Sequence, residues 1–179
     1  LEILGTAGAD PRSMSRVADL GCASARVLRH FPFKDDRVEL WGVDIKAKHI
    51  EWCQQNLGPP FRFVLGTTFP HLPFEDGTFD LVYGHSVFTH ISDLADAWIL
   101  ELLRITRRGS YVFATVHDEH SVDFLLSTER DDLRFLAQML RDADAVTGLL
   151  SRGYASFAIG TEPRTQVFYD SDYLVGKWS

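Results

Sequence analysis

The sequence predicts an α/β fold: a doubly wound, mainly parallel sheet with a helical cap inserted late in the chain. Three observations carry this. Short apolar runs of strand length alternate with stretches of helical spacing from residue 16 to residue 116. The runs close on residues suited to a ligand edge, namely Asp19, Asp44, Gly66-Thr67, Gly84-His85 and His117-Asp118. The first run passes directly through Val17-Ala18-Asp19-Leu20-Gly21-Cys22 into Ala23-Ser24-Ala25-Arg26-Val27-Leu28, which reads as strand, tight turn and helix. Parallel strands joined by helices require right-handed crossovers, and ligands then bind beyond the carboxyl ends of the strands.

The elements follow in order. Residues 1 to 15 are weakly patterned and read as lead-in, with a turn at Asp10-Pro11. After the first strand and its turn, Ala25 to Phe31 is expected to form a short helix that Pro32 ends. Val38 to Asp44 is the second strand, Lys46 to Leu57 a helix stopped by Gly58-Pro59-Pro60, and Phe61 to Gly66 the third strand. Asp76-Gly77 marks a turn before a fourth strand over Phe79 to Tyr83. A helix is expected from Ser92 to Arg107 with Ser92 as N-cap and Arg108-Gly109 as its stop, followed by a fifth strand from Tyr111 to Val116. Ser121 to Ala145 reads as the helical cap, 156–160 and 165–169 as β segments, and Ser171 to Trp178 as a short amphipathic ending.

Length and composition place all of this in one domain, 1–179: a ligand-binding core at 16–116, a cap at 121–145 and terminal strands and helix at 156–179. A net charge of −7 argues against nucleic acid as the principal partner, because phosphate binding needs clustered cations. Arg104, Arg107 and Arg108 come nearest to a cluster and read as the dipole-complementing end of a helix. Two cysteines make no disulfide framework, and Cys22 sits in the ligand turn, so a reducing, cytoplasmic setting is expected. No apolar run reaches the roughly 18 residues of a membrane span.

Asp44 lies 23 positions beyond Gly21 at the end of the next strand, the place from which a carboxylate accepts the hydroxyls of an adenosine ribose. Dinucleotide enzymes share that spacing, but their turn is G-x-G-x-x-G, and here it reads Gly21-Cys22-Ala23-Ser24-Ala25-Arg26. A nicotinamide-dependent reductase is disfavoured by the missing glycines. Asp19-Leu20-Gly21-Cys22, Asp44, Leu72-Pro73-Phe74 with Phe79-Asp80-Leu81-Val82, and Ser86-Val87-Phe88-Thr89-His90 together resemble class I S-adenosylmethionine-dependent methyltransferases, in order, over most of Val17 to Val116. The resemblance implies a Rossmann-like seven-stranded sheet with helices on both faces that binds S-adenosylmethionine in its first half. Carried over position by position, it implies that Asp19, Gly21, Cys22 and Ala23 hold the methionine end and Asp44 the ribose. It further implies Ile45 against the adenine, Thr67 near the adenine edge, and Gly84 with His85 beside the transferable methyl.

The chain departs from that pattern in three ways. Ala23 and Ala25 stand where the motif has glycine, and each Cβ restricts positive φ. The acidic residue common near Thr67 is absent, and the last antiparallel strand would follow Trp178.

Methyl transfer is an in-line displacement that depends chiefly on proximity and orientation, and an oxygen acceptor gains from a general base. His117 and His85, each just after a strand end, are the candidates, with His117 preferred, while His90 is expected to pack a helical turn deeper. His117-Asp118-Glu119-His120 is a weak metal pattern because adjacent side chains of an extended segment point in opposite directions, so no metal is expected. Ser86 lacks the G-x-S-x-G elbow of hydrolases. The expected function is methylation of a small-molecule acceptor, a hydroxyl of a sugar or secondary metabolite. The alternative is a non-catalytic S-adenosylmethionine-binding or interaction domain of the same fold.

Overall fold

Five parallel strands are laid side by side, the three central ones too apolar to leave either face in water. In this computed structural model, which describes residues 2–33, 37–148, 150, 153–161 and 165–178, they are β1 (Arg16–Leu20), β2 (Glu39–Asp44), β3 (Phe61–Leu65), β4 (Phe79–Gly84) and β5 (Thr106–Ala114). Their order is β3-β2-β1-β4-β5 and every pairing is parallel. The order reverses between β1 and β2 on one side and β4 on the other, which opens the crevice where doubly wound sheets take ligands.

The chain divides into two compact units, Leu1–His85 with Ala97–Ala114, and Ser86–Asp96 with Thr115–Ser179. The first carries the sheet, a short helix α1 (Glu2–Thr6), α2 (Ala47–Asn56) and most of α3 (Ala95–Ile105). Its core joins Val17, Leu28, Leu40, Ile50, Cys53, Phe63, Leu81 and Tyr83. Each large apolar side chain taken out of water there contributes roughly 1.5–3 kcal/mol. A single row of register partners crosses this sheet: Phe63, Gly42, Asp19, Tyr83 and Phe113. Gly42 is required in it, since a Cβ would stand 2.7 Å from the Phe63 ring and 2.8 Å from the Cys22 sulfur.

The structure alters three expectations here. The helix expected from Ala25 to Phe31 is a series of turns ending in one 3-10 turn, Leu28–His30. Two left-handed residues within four positions, Ala23 at φ 48° and Ala25 at φ 57°, prevent a right-handed helix from starting at the turn. Helix α3 begins at Ala95 rather than Ser92 and stops at Ile105, and β5 starts at once with Thr106. The Thr106 hydroxyl donates to the Leu102 carbonyl at 2.7 Å, satisfying a helix-end acceptor without a glycine stop.

Arg107 and Arg108 are therefore strand residues, and the arginines do not form a dipole-complementing cluster. Arg104 donates to Glu101, Asp76 and the Phe74 and Leu72 carbonyls, and Arg107 pairs with Asp80. Burial alone would raise the Glu101 carboxyl, but these Arg104 bonds and the Leu72 amide hold it below its ordinary value. The network clamps the loop before β4 to α3.

The second unit has α4 (Glu119–Ser127), α5 (Arg134–Thr147), an antiparallel ribbon of β6 (Ser156–Ile159) and β7 (Gln166–Tyr169), and α6 (Ser171–Trp178). The cap is thus two helices separated by a 3-10 turn at Asp131–Leu133. Asp118 starts α4 with a capping box closed by Ser121. Val122, Leu125, Leu140, Ile159 and Phe168 form this unit's own core. The Asp96 carboxylate accepts from the Tyr173 hydroxyl and, at 2.7 Å, from Trp178 Nε1, fastening α6 to Asp96 in the first turn of α3. Among the described residues no helix is long and apolar enough to cross a membrane.

Candidate cofactor site

The carboxyl ends of β1, β2 and β4 bring Asp19, Gly21, Cys22, Ala23, Asp44 and Gly84 into one unit. Asp19 is buried in the middle of the apolar row, 3% exposed. Burial pushes its carboxyl from 3.8 up to about 7; the Tyr83 hydroxyl opposes the rise, Asp44 adds to it, and the Leu28 amide opposes it. Tyr83 is its register partner on β4 and is 5% exposed. The Tyr83 hydroxyl lies within electrostatic reach of Asp19, yet the pair misses hydrogen-bond geometry. Among the described residues that hydroxyl has no hydrogen-bond partner.

The amides of the turn after β1 face the neighbouring strand. Gly21 and Cys22 both donate to the Val43 carbonyl, at 2.7 and 3.0 Å, and Ala23 donates to Asp44 Oδ2 at 2.8 Å. All three amides are turned onto β2. The positive φ of Gly21, 70°, is what a glycine permits freely, whereas Ala23 and Ala25 hold left-handed backbones at a cost of about 1–2 kcal/mol each. Cys22 packs inward, and its thiol and that of Cys53 both donate to the Ala23 carbonyl, at 3.6 and 3.5 Å. Burial pushes both thiols above their ordinary value.

Asp44 has a double position. Oδ1 accepts from the Lys46 amide at 2.7 Å and Oδ2 from Ala23, so the carboxylate starts the chain toward α2 and closes the glycine turn. A carboxylate offers about four lone-pair sites, and two remain for a diol. His49 Nδ1 stands 3.5 Å from Oδ1 without hydrogen-bond geometry. Beside Asp44 the next residue, Ile45, is 57% exposed, and Leu65, the register partner of Asp44 on β3, is exposed as well. These two bare aliphatic side chains beside a strand-end carboxylate form an apolar ledge. Thr67 is exposed, and its hydroxyl is used locally, accepting from the Phe69 amide at 3.2 Å. Gly84 is buried at the end of β4 and His85 is exposed directly after it. The donor set fits S-adenosylmethionine: a buried acid with an unpartnered hydroxyl, a free diol acceptor and an apolar ledge.

The candidate base belongs to the second unit. His117 stacks on Phe168 with ring centroids 5.2 Å apart, and its Nε2 meets Gln166 Oε1 at 3.3 Å. Burial lowers its imidazole below the ordinary 6.5, the Gln166 bond pulls it up, His90 pushes it down and Asp118 pulls it up. His90 does not pack deeper: it is exposed, with Nδ1 2.8 Å from the Thr165 carbonyl and 3.3 Å from Gln166 Nε2. Ligand atoms of Asp118, Glu119 and His120 lie within 4.8 Å of one another. Each acid has other work, Asp118 capping α4 and Glu119 accepting from Ser171. Sequence reasoning missed Tyr83 and Gln166. The signal for Tyr83 was a lone phenol at the end of a mostly apolar strand, and the register sets it beside Asp19; for Gln166 there was none.

Residues 18–114 match the family model described as a methyltransferase domain. The chain belongs to this family, and its sheet order and acidic strand ends are those of the class I S-adenosylmethionine-dependent methyltransferases. S-adenosylmethionine is the cofactor of that class. Over 157 residues the chain is 27% identical to an uncharacterized methyltransferase of Schizosaccharomyces pombe, covering 80% of this chain and 56% of that protein. Over 156 residues it is 30% identical to the sterol 24-C-methyltransferase of the same yeast, covering 78% and 39%. The chain thus spans about half or less of these relatives' length. Among solved structures, a SAM-dependent methyltransferase of Methanosarcina mazei aligns with TM-score 0.61 at 17% identity, covering 89% of this chain and 75% of that one. A second, from Mesorhizobium loti, aligns with TM-score 0.52 at 18% identity over 65% and 52%. These two bear on the fold.

Proposed function

We propose that this chain is the catalytic domain of a methyltransferase that moves a methyl group from S-adenosylmethionine to a small-molecule acceptor, a hydroxyl of a sugar or secondary metabolite. The observation that carries the reading is the pair of acidic strand ends, Asp19 buried in the sheet and Asp44 with two free lone-pair sites beside exposed Ile45. Asp19 holds the ligand's ammonium, Asp44 its ribose hydroxyls, Ile45 and Leu65 its adenine face, and Gly84 leaves room beside the sulfur. When bound, S-adenosylmethionine supplies a sulfonium methyl open to in-line displacement.

His117 is the proposed base. Its lowered basicity keeps the imidazole neutral near pH 7, the form that takes a proton from a hydroxyl. His85 is the second candidate. A relative named for a sterol acceptor, together with a net charge of −7 that disfavours nucleic acid, supports a small-molecule acceptor. The setting is proposed as cytoplasmic, on the two unpaired cysteines.

A non-catalytic S-adenosylmethionine-binding domain is the second reading, favoured by the left-handed Ala23 and Ala25 and the closed turn amides. Calorimetry with S-adenosylhomocysteine and a methyl-transfer assay over a panel of hydroxylated acceptors separate the two. Binding with turnover supports the enzyme; binding with none across the panel supports the second reading.

A further inference from the structure

The row Phe63, Gly42, Asp19, Tyr83, Phe113 places two polar groups, a carboxyl and a phenol hydroxyl, among aromatic neighbours at the switch point of the sheet. Tyr83 is 5% exposed, belongs to the core that also holds Val17, Cys22 and Leu81, and keeps its hydroxyl without a hydrogen-bond partner among the described residues. A dry, unpaired hydroxyl is unfavourable, and phenylalanine would pack the same ring without it. The hydroxyl is therefore explained by a state in which Asp19 needs a donor.

That state is defined by the groups around Asp19. Tyr83 faces it from β4, Asp44 from β2, the Cys22 thiol from the turn, and the Leu28 amide from the 3-10 turn. None of these is a cation. A neutral Asp19 tolerates such surroundings, whereas an ionised one needs a positive charge and additional donors.

We propose that the Tyr83 hydroxyl is a specificity-determining group of the cofactor site: it donates to the Asp19 carboxylate once a ligand ammonium has settled there, so that the site selects ligands carrying a free α-amino group. The inference rests on the S-adenosylmethionine reading above and deepens it. The proton that Asp19 gives up on binding passes to the buffer, and its place is taken by two donors, the ligand ammonium and Tyr83 O–H. A ligand with the same adenosine and thioether but no amino-acid end supplies no ammonium, leaves Asp19 protonated and gains nothing from Tyr83. The high basicity that burial and Asp19 give the Tyr83 hydroxyl keeps it a donor throughout.

The test compares S-adenosylhomocysteine with 5′-methylthioadenosine by calorimetry on the wild-type chain and on Tyr83→Phe. The inference expects Tyr83→Phe to weaken S-adenosylhomocysteine on the order of 10-fold, to leave 5′-methylthioadenosine unchanged, and to melt no lower than wild type. It also expects the pH midpoint of S-adenosylhomocysteine affinity to move upward in Tyr83→Phe, because the ionised Asp19 has lost a donor. Equal losses for both ligands, no loss for either, or a variant that melts several degrees lower overturns the role of Tyr83 while leaving the cofactor reading in place. A wild-type chain that binds neither ligand overturns both.

Discussion

The main-chain amide of Ala23 donates to the Asp44 carboxylate at 2.8 Å, so the acidic end of the second strand closes the turn that follows the first. The same carboxylate accepts from Lys46 at 2.7 Å. Two backbone donors on one side chain tie the proposed ribose contact to the shape of the turn.

Asp44→Ala is accordingly expected to act on both. Ala23 and Lys46 lose their acceptor, and unfolding in denaturant should show a loss of about 1–3 kcal/mol. S-adenosylhomocysteine affinity should fall on the order of 100-fold, since a charge-assisted pair of ribose contacts disappears. Retention of near wild-type affinity would remove Asp44 from the ribose site.

Ala23→Gly tests the left-handed turn. Relief of the Cβ at φ 48° is worth about 1–2 kcal/mol and the extra freedom of glycine when unfolded costs about 0.5–1. The variant should gain up to about 1.5 kcal/mol in thermal unfolding, with cofactor affinity equal or higher. Ala25 is the poorer site for this experiment because it is fully buried and its methyl packs in the core.

Stability should depend on pH through Asp19. Its folded carboxyl titrates near 7 and its unfolded one near 3.8, so the folded chain binds the extra proton between these values. Stability therefore falls as pH rises through that window, by on the order of 4 kcal/mol at about 1.4 kcal/mol per pH unit. Asp19→Asn should flatten this slope in urea titrations at pH 5 and pH 8 and be the more stable chain at pH 8, while binding S-adenosylhomocysteine far more weakly. A slope unchanged by the substitution would place the titration elsewhere.

His117→Ala should lower turnover without changing S-adenosylhomocysteine affinity. In the wild-type chain the His117 resonance should titrate below 6.5, because burial opposes the imidazolium. The depressed value means that His117 contributes stability above the unfolded pKa of about 6.5 and loses it as pH falls through the folded one. Unchanged turnover would take His117 out of the reaction.

The sheet was legible in the sequence because each strand carries its own apolar run and the first four close on or beside an Asp or Gly, and Asp19 and Asp44 follow from that spacing alone. The missing helix after Ala25 was not legible: it depends on φ values at Ala23 and Ala25 that residue identity argues against, held in place by bonds to Val43 and Asp44 from another strand. The start of β5 was likewise hidden, since Arg107-Arg108-Gly109 has the composition of a helix stop and becomes strand through pairing with β4. Gln166 reaches His117 from 49 residues away, a contact that no local pattern encodes.

Titration of the purified chain with S-adenosylhomocysteine by calorimetry bears most directly on the central claim. The account predicts one ligand per chain with affinity in the micromolar range, weakened on the order of 100-fold in Asp44→Ala, and no binding of NADH. Absence of S-adenosylhomocysteine binding by a folded wild-type chain would contradict it.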